Sequence, residues 1–243
     1  MLDNDHAAWK KLRTGAIPTD AAQTLEQLLR VRVSSRAFKS DPIPKATIRK
    51  ILEMAQLTPS WCNSQSWQLE VVSGHGTERL RKVLYEAASN NVEEETDIPF
   101  PREYRGVHLK RRRESGLQLY AALNISRDDR KKRSEQVLEN FRFFGAPHVL
   151  LIHVDEALGP YGAVDCGAYV SNFVLAAAAL GVGTIPQAAL AVYPKLLRKE
   201  LGLGDDRTIV CGISFGFPDL SHPSNSYRTT RAGVDEVTHW IDE

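Results

Sequence analysis

Apolar side chains recur at helical spacing in Lys45-Ala46-Thr47-Ile48-Arg49-Lys50-Ile51-Leu52-Glu53-Met54-Ala55-Gln56, where Ile48, Ile51, Leu52 and Ala55 share one face. That period predicts an amphipathic helix behind the turn Asp41-Pro42-Ile43-Pro44. The pattern then alternates in Gln68-Leu69-Glu70-Val71-Val72, the signature of a half-buried strand, and returns to helical spacing over residues 77–88. Residues 148–154 are apolar on both faces, as in a buried strand. Residues 163–180 are apolar nearly all round and stop at Gly181, which predicts a central core helix. Pro194 stands where a first-turn proline opens a helix, and residues 208–217 read as a strand interrupted by Gly212 and Gly216. Upstream, Thr24-Leu25-Glu26-Gln27 has the form of a capping box for a helix over 24–31, which leaves residues 1–23 as an extension. Helices and strands alternate with no repeat or linker, so residues 24–243 are expected to form a single α+β domain, a central mixed β-sheet flanked by helices. Within it, residues 89–140 are highly charged and predict a largely helical insertion.

Composition narrows the function. The chain has 243 residues, 31 Lys plus Arg against 30 Asp plus Glu, so no global field draws it to nucleic acid or an anionic membrane. Cys62, Cys166 and Cys211 are odd in number and far apart, which predicts neither a disulfide framework nor a metal site and suits a reducing cytoplasm. The first residues lack the apolar stretch of a signal peptide, and the longest apolar run, 173–182, is short for a membrane span.

Three segments carry chemistry. Arg32-Val33-Ser34-Ser35-Arg36 gathers two guanidiniums and two hydroxyls, a set suited to phosphate, although a solvated helix end has the same composition. Residues 58–67 place Trp61 and Trp67 among small polar residues and amides that can stack on a planar ligand and bond its edge. Cys62 in that segment has no histidine near it in sequence and reads as an incidental thiol. Gly181-Val182-Gly183-Thr184-Ile185-Pro186-Gln187 follows a helix rather than a strand, so it is no dinucleotide fingerprint. His148 and His153 lie five apart on a strand, face opposite sides and read as structural.

In this order the segments resemble the FMN-dependent nitroreductase family from about residue 25 onward. The resemblance rests on Arg32, Ser34, Arg36 and Phe38, on Pro59, Ser60, Asn63, Gln65 and Trp67, on 181–186, on 212–219 and on Arg228-Thr229-Thr230-Arg231. It implies a nitroreductase-like fold and an intertwined homodimer that binds FMN and takes electrons from NADH or NADPH. The phosphate and ribityl chain would fall to Arg32, Val33, Ser34 and Arg231, with Arg228 beside them, and Arg36 would stabilise the reduced flavin at its pyrimidine edge. Pro59, Ser60, Asn63 and Gln65 would come from the partner subunit. The Ile185-Pro186-Gln187-Ala188 backbone would face the flavin, with the Ala188 N–H nearest N5. Val33, Ser66 and the pair Ala188-Ala189 depart from the usual family residues. The implied activity is two-step reduction of a small aromatic acceptor, with the flavin carrying the chemistry and no catalytic side chain. Reductive dehalogenation and flavin binding without turnover are the alternatives. Trp61, Tyr104, Tyr120 and Arg111 are the candidate acceptor contacts, the last three as part of a helical cover over residues 89–140.

Overall fold

The computed structural model describes Pro18 and residues 20–242, so most of the expected extension lies outside the described residues. Among the described residues eleven α-helices and strands follow one another: α1 (Ala21–Val31), α2 (Lys45–Ala55), β1 (Trp67–Ser73), α3 (His75–Ser89), α4 (Gly106–Ala122), α5 (Arg130–Leu138), β2 (His148–Asp155), α6 (Gly159–Ala179), β3 (Gly183–Gln187), α7 (Pro194–Leu201) and β4 (Arg207–Gly216). Helix α1 begins at Ala21 behind Asp20, which makes no side-chain cap, so Thr24 lies inside the helix and the expected capping box is not used. A cap residue has to sit outside the helix, and here the chain enters it one turn earlier.

The strand order is β1-β2-β4-β3. All three pairings are antiparallel. The expected mixed sheet therefore reduces to four antiparallel strands, with parallel pairing confined among the described residues to the bridge Ser34–Thr184. β2 is central and buried through His148–Val154, which explains its unbroken apolar run. Leu150, Ile152, Ile213 and Phe215 pack towards α2 and α6. Val149, Leu151 and Ile209 pack on the opposite face, towards α3 and α7. The stretch Glu156–Ala179 is long and apolar enough to cross a bilayer, but Cys166, Tyr169, Phe173 and Ala177 bury its inner face against the sheet. Gly181, at φ +71°, ends that helix in the left-handed conformation glycine adopts freely.

The charged excursion is fastened at its base. Asp97 accepts from the Arg198 guanidinium at 2.7 Å and from the Ile209 N–H at 2.8 Å, while the Glu95 N–H donates to the Val192 carbonyl. Helices α4 and α5 bury no residue fully.

Both histidines of β2 are buried. His148 accepts from the Ile43 N–H through Nε2 at 2.8 Å, which puts its proton on Nδ1, facing the Ser73 hydroxyl at 2.7 Å. Burial holds both imidazoles below their ordinary pKa. The folded chain thus refuses protons that the unfolded chain takes up below about pH 6.5, so stability falls on acidification. Melting temperature is expected to drop between pH 7.5 and 5.5, and His148→Gln to flatten that dependence by up to about 1.4 kcal/mol per pH unit. An equal slope in wild type and variant would show that His148 is not the group titrating.

Candidate functional site

The segment after α1 is laid beside β3. The Ser35 N–H donates to the Thr184 carbonyl at 2.9 Å, and further along Lys39 N–H donates to Phe217 O and Asp219 N–H to Ala37 O. Gly183 permits this approach, since a Cβ there would meet the Ser35 hydroxyl at 2.7 Å and Pro218 Cβ at 3.0 Å. Two stretches far apart in sequence become one edge in this way.

At that edge lies a cavity of about 770 Å³ whose lining includes Arg32, Val33, Ser34, Arg36, Arg228 and Arg231. Arg32 and Arg231 lie close enough to repel: burial first, then the charge of Arg231, pull the Arg32 pKa below its usual value. Arg228 and Arg231 donate to carbonyls and a hydroxyl of their own segment. Among the described residues none of Arg32, Arg36, Arg228 and Arg231 pairs with a carboxylate, and Glu26 on the cavity wall is taken by Arg30. Such a set of uncompensated guanidiniums is a site for a polyanion.

Arg36 continues into a second, narrower cleft of about 290 Å³. Ile185, Pro186, Gln187, Ala188 and Ala189 form its floor, and Leu119 and Tyr120 of α4 lie opposite. The Gln187 side chain is held in place, donating to Asn140 O at 3.0 Å and accepting from the Ser214 hydroxyl, and Asn140 lines the same cleft. Ala188 opens a 3-10 turn, whose first N–H groups have no partner within the turn.

Three residues of the site gave no signal in the sequence. Asn225, buried, accepts from the Arg36 N–H at 2.7 Å and donates to Ala37 O and Asp219 O, fixing the arginine segment from 189 positions away. Tyr227 lies under the Arg36 guanidinium at 5.8 Å, and its buried hydroxyl has no partner among the described residues. Burial raises the pKa of that phenol. Asp165 of α6 holds the loop before β1, accepting from the Trp61 N–H at 3.1 Å and from the hydroxyls of Ser64 and Ser66 at 3.4 Å.

That loop stands apart from both cavities within one chain. Ser60 Oγ accepts from the Gln65 N–H, and the Gln65 side chain accepts from Gln56. Cys62, Asn63 and Gln65 all have positive φ, a concentration of strain that persists only where surrounding contacts over-determine it. Pro59, Ser60 and Asn63 line neither of these two cavities, and Trp61 is 55% exposed with its ring edge on Tyr161. Of the expected acceptor contacts, Tyr120 alone lines the narrow cleft. Tyr104 lies under Arg112. Arg111 pairs with Glu236 beside Thr229–Arg231.

An arginine-lined cavity that narrows to a backbone-floored cleft at a sheet edge defines a protein that holds a phosphorylated, planar ligand. The model of the Nitroreductase family matches residues 29–217, and the chain belongs to that family. It is 39% identical over 224 residues to nitroreductase NfnB of Mycolicibacterium smegmatis, covering 91% of this chain and 94% of that protein. A 4-nitrobenzoate reductase of Nocardioides sp. is 33% identical, with 92% and 93% covered. The crystal structure of the FMN-dependent nitroreductase NfnB from Mycobacterium smegmatis in complex with NADPH superposes with a TM-score of 0.87 at 37% identity, covering 91% of this chain and all of that one.

Proposed function

We propose that this chain is an FMN-dependent oxidoreductase that draws electrons from NADPH or NADH and reduces nitroaromatic acceptors. The observation that carries the reading is the uncompensated charge of Arg32 and Arg231 in a cavity joined through Arg36 to the Ile185–Ala188 cleft. The residues fit FMN: a terminal phosphate relieves the Arg32–Arg231 repulsion, and the ribityl hydroxyls give partners to polar groups such as the orphaned Tyr227 hydroxyl. FMN supplies, when bound, the transfer of a hydride equivalent from the nicotinamide and of two electrons to the acceptor.

The chain's own part is binding and orientation. Arg32, Arg228 and Arg231 would neutralise the phosphate, the Ser34 hydroxyl would donate to it, and Arg36 would place a cation beside the ring system. Ala188 offers a backbone N–H at the cleft floor. Leu119 and Tyr120 narrow the space above, so donor and acceptor occupy it in turn. This alternation gives ping-pong kinetics.

The working unit is a homodimer in the cytoplasm. Leu220, Val234, Val237, Trp240 and Ile241 are 67–82% exposed, more apolar surface than one chain segment leaves in water without a partner. A second copy covers it and brings its strained 59–65 loop to the flavin of the first.

Purified protein is expected to be yellow, to release FMN rather than FAD, and to oxidise a nicotinamide when a nitroaromatic is supplied. Dissociation on dilution is expected to release flavin at the same concentration, followed by light scattering and flavin fluorescence. Bound FMN without turnover would leave a flavin-sequestering protein; absence of FMN affinity would remove the reading altogether.

A further inference from the structure

Between α4 and α5 lies another cleft, of about 1000 Å³, whose wall includes Arg112, Arg113, Tyr120, Arg127 and Arg133 and no carboxylate. Several neighbouring cations are paired, Arg105 with Glu103, Arg111 with Glu236, Lys132 with Asp129 and Arg142 with Glu139, while Lys110, Arg130 and Lys131 of the same helices add further charge with no ion pair among the described residues. Among the described residues the four arginines of the cleft form no such pair. Two are held by aromatic rings, Arg133 at 4.8 Å from the Tyr120 centroid and Arg112 at 5.0 Å from that of Tyr104. Stacking fixes a guanidinium plane and leaves its N–H edge for an anion. Arg133 also donates to the Arg127 carbonyl at 3.1 Å, tying the entrance of α5 together.

Tyr120 lines this cleft and also the narrow cleft over Ala188. A ligand reacting at Ala188 and long enough to pass Tyr120 therefore ends among the arginines. An aromatic acceptor carries its carboxylate on the reacting ring itself, whereas a dinucleotide extends well beyond the ring that reacts. We infer that this cleft receives the adenosine end of the nicotinamide donor and that Arg112, Arg113 and Arg127 select NADPH over NADH through its 2′-phosphate. The inference rests on the oxidoreductase reading above. Four segregated like charges gain most from a group that is close to dianionic near neutral pH, and the two donors differ in that group alone.

The test compares the FMN-loaded wild type with the Arg112→Ala/Arg113→Ala/Arg127→Ala variant. By calorimetry, wild type is expected to bind adenosine 2′,5′-bisphosphate on the order of tenfold or more tighter than 5′-AMP, and the variant to lose most of that difference. The ratio of KM for NADPH to KM for NADH is expected to rise on the order of tenfold in the variant at low salt, and less at high salt. Equal affinity of wild type for the two adenosine nucleotides overturns the inference, as does a variant that leaves the KM ratio in place. A variant that alters kcat/KM for 4-nitrobenzoate but not nitrobenzene, with the donor ratio unmoved, assigns the arginines to an acceptor carboxylate instead. Loss of FMN binding or of all nicotinamide oxidation in wild type would instead strike the oxidoreductase reading, a result distinct from these.

Discussion

Arg32→Ala is expected to weaken FMN binding by about 1.5 to 3 kcal/mol, roughly 10- to 150-fold, the scale for removing a charge-assisted contact. The same change should leave the flavin-free protein no less stable. Without flavin Arg32 is partly desolvated and faces the like charge of Arg231, so its removal takes away two unfavourable contributions. The melting temperatures of wild type and variant should therefore coincide, or favour the variant, without FMN and separate as FMN is added. Arg32→Lys keeps the charge but not the planar fork, and should recover part of the affinity. Equal destabilisation with and without flavin would make Arg32 a packing residue and sink its phosphate role.

Asp165→Ala is expected to cost about 3 kcal/mol and lower the melting temperature by roughly 6–12 °C. The carboxylate lies 8% exposed and accepts from three groups of the 61–66 loop. Removing it leaves the Trp61 N–H and the Ser64 hydroxyl without this acceptor, while Ser66 keeps the Gly162 carbonyl, and frees three residues, Cys62, Asn63 and Gln65, to leave the left-handed region. Because the loop is proposed to serve the flavin of the partner, FMN affinity should fall as well, although Asp165 lines neither cavity of its own chain. Asp165→Asn keeps one carbonyl acceptor and should lose less of both. A lowered melting temperature with unchanged FMN affinity would detach the loop from the flavin site.

What could be read in advance divides by the range of the interaction. The helix at Ile48, Ile51 and Ala55, the stop at Gly181 and the start at Pro194 are local matters of period and backbone freedom, and they appear where the sequence places them. Thr24 failed as a cap because a capping motif states only local compatibility, and the helix gained a turn before it. The arginine segment and the Gly181–Gln187 stretch were each visible, but their meeting depends on the Ser35–Thr184 bond across the fold. Asn225, Tyr227 and Asp165 carry no period, spacing or motif; each acts on residues about 100 or more positions away, Asn225 and Tyr227 on Arg36 and Asp165 on the 61–66 loop. The all-antiparallel sheet was hidden for a related reason, since buried strands of either pairing read as continuous apolar runs.

The charged excursion is knotted to the body at both ends, by Asp97 to Arg198 and Ile209 before α4, and by Asn140 to Gln187 after α5. Between the knots its helices bury no residue fully. Substitutions there carry little folding cost, because large losses come from buried positions, whereas the cofactor cavity draws its charge from elsewhere. On the proposed assignment of donor and acceptor contacts to this excursion, their preference can drift through mutation while the redox chassis stays constant, which makes residues 98–139 the stretch to randomise when a new substrate range is sought.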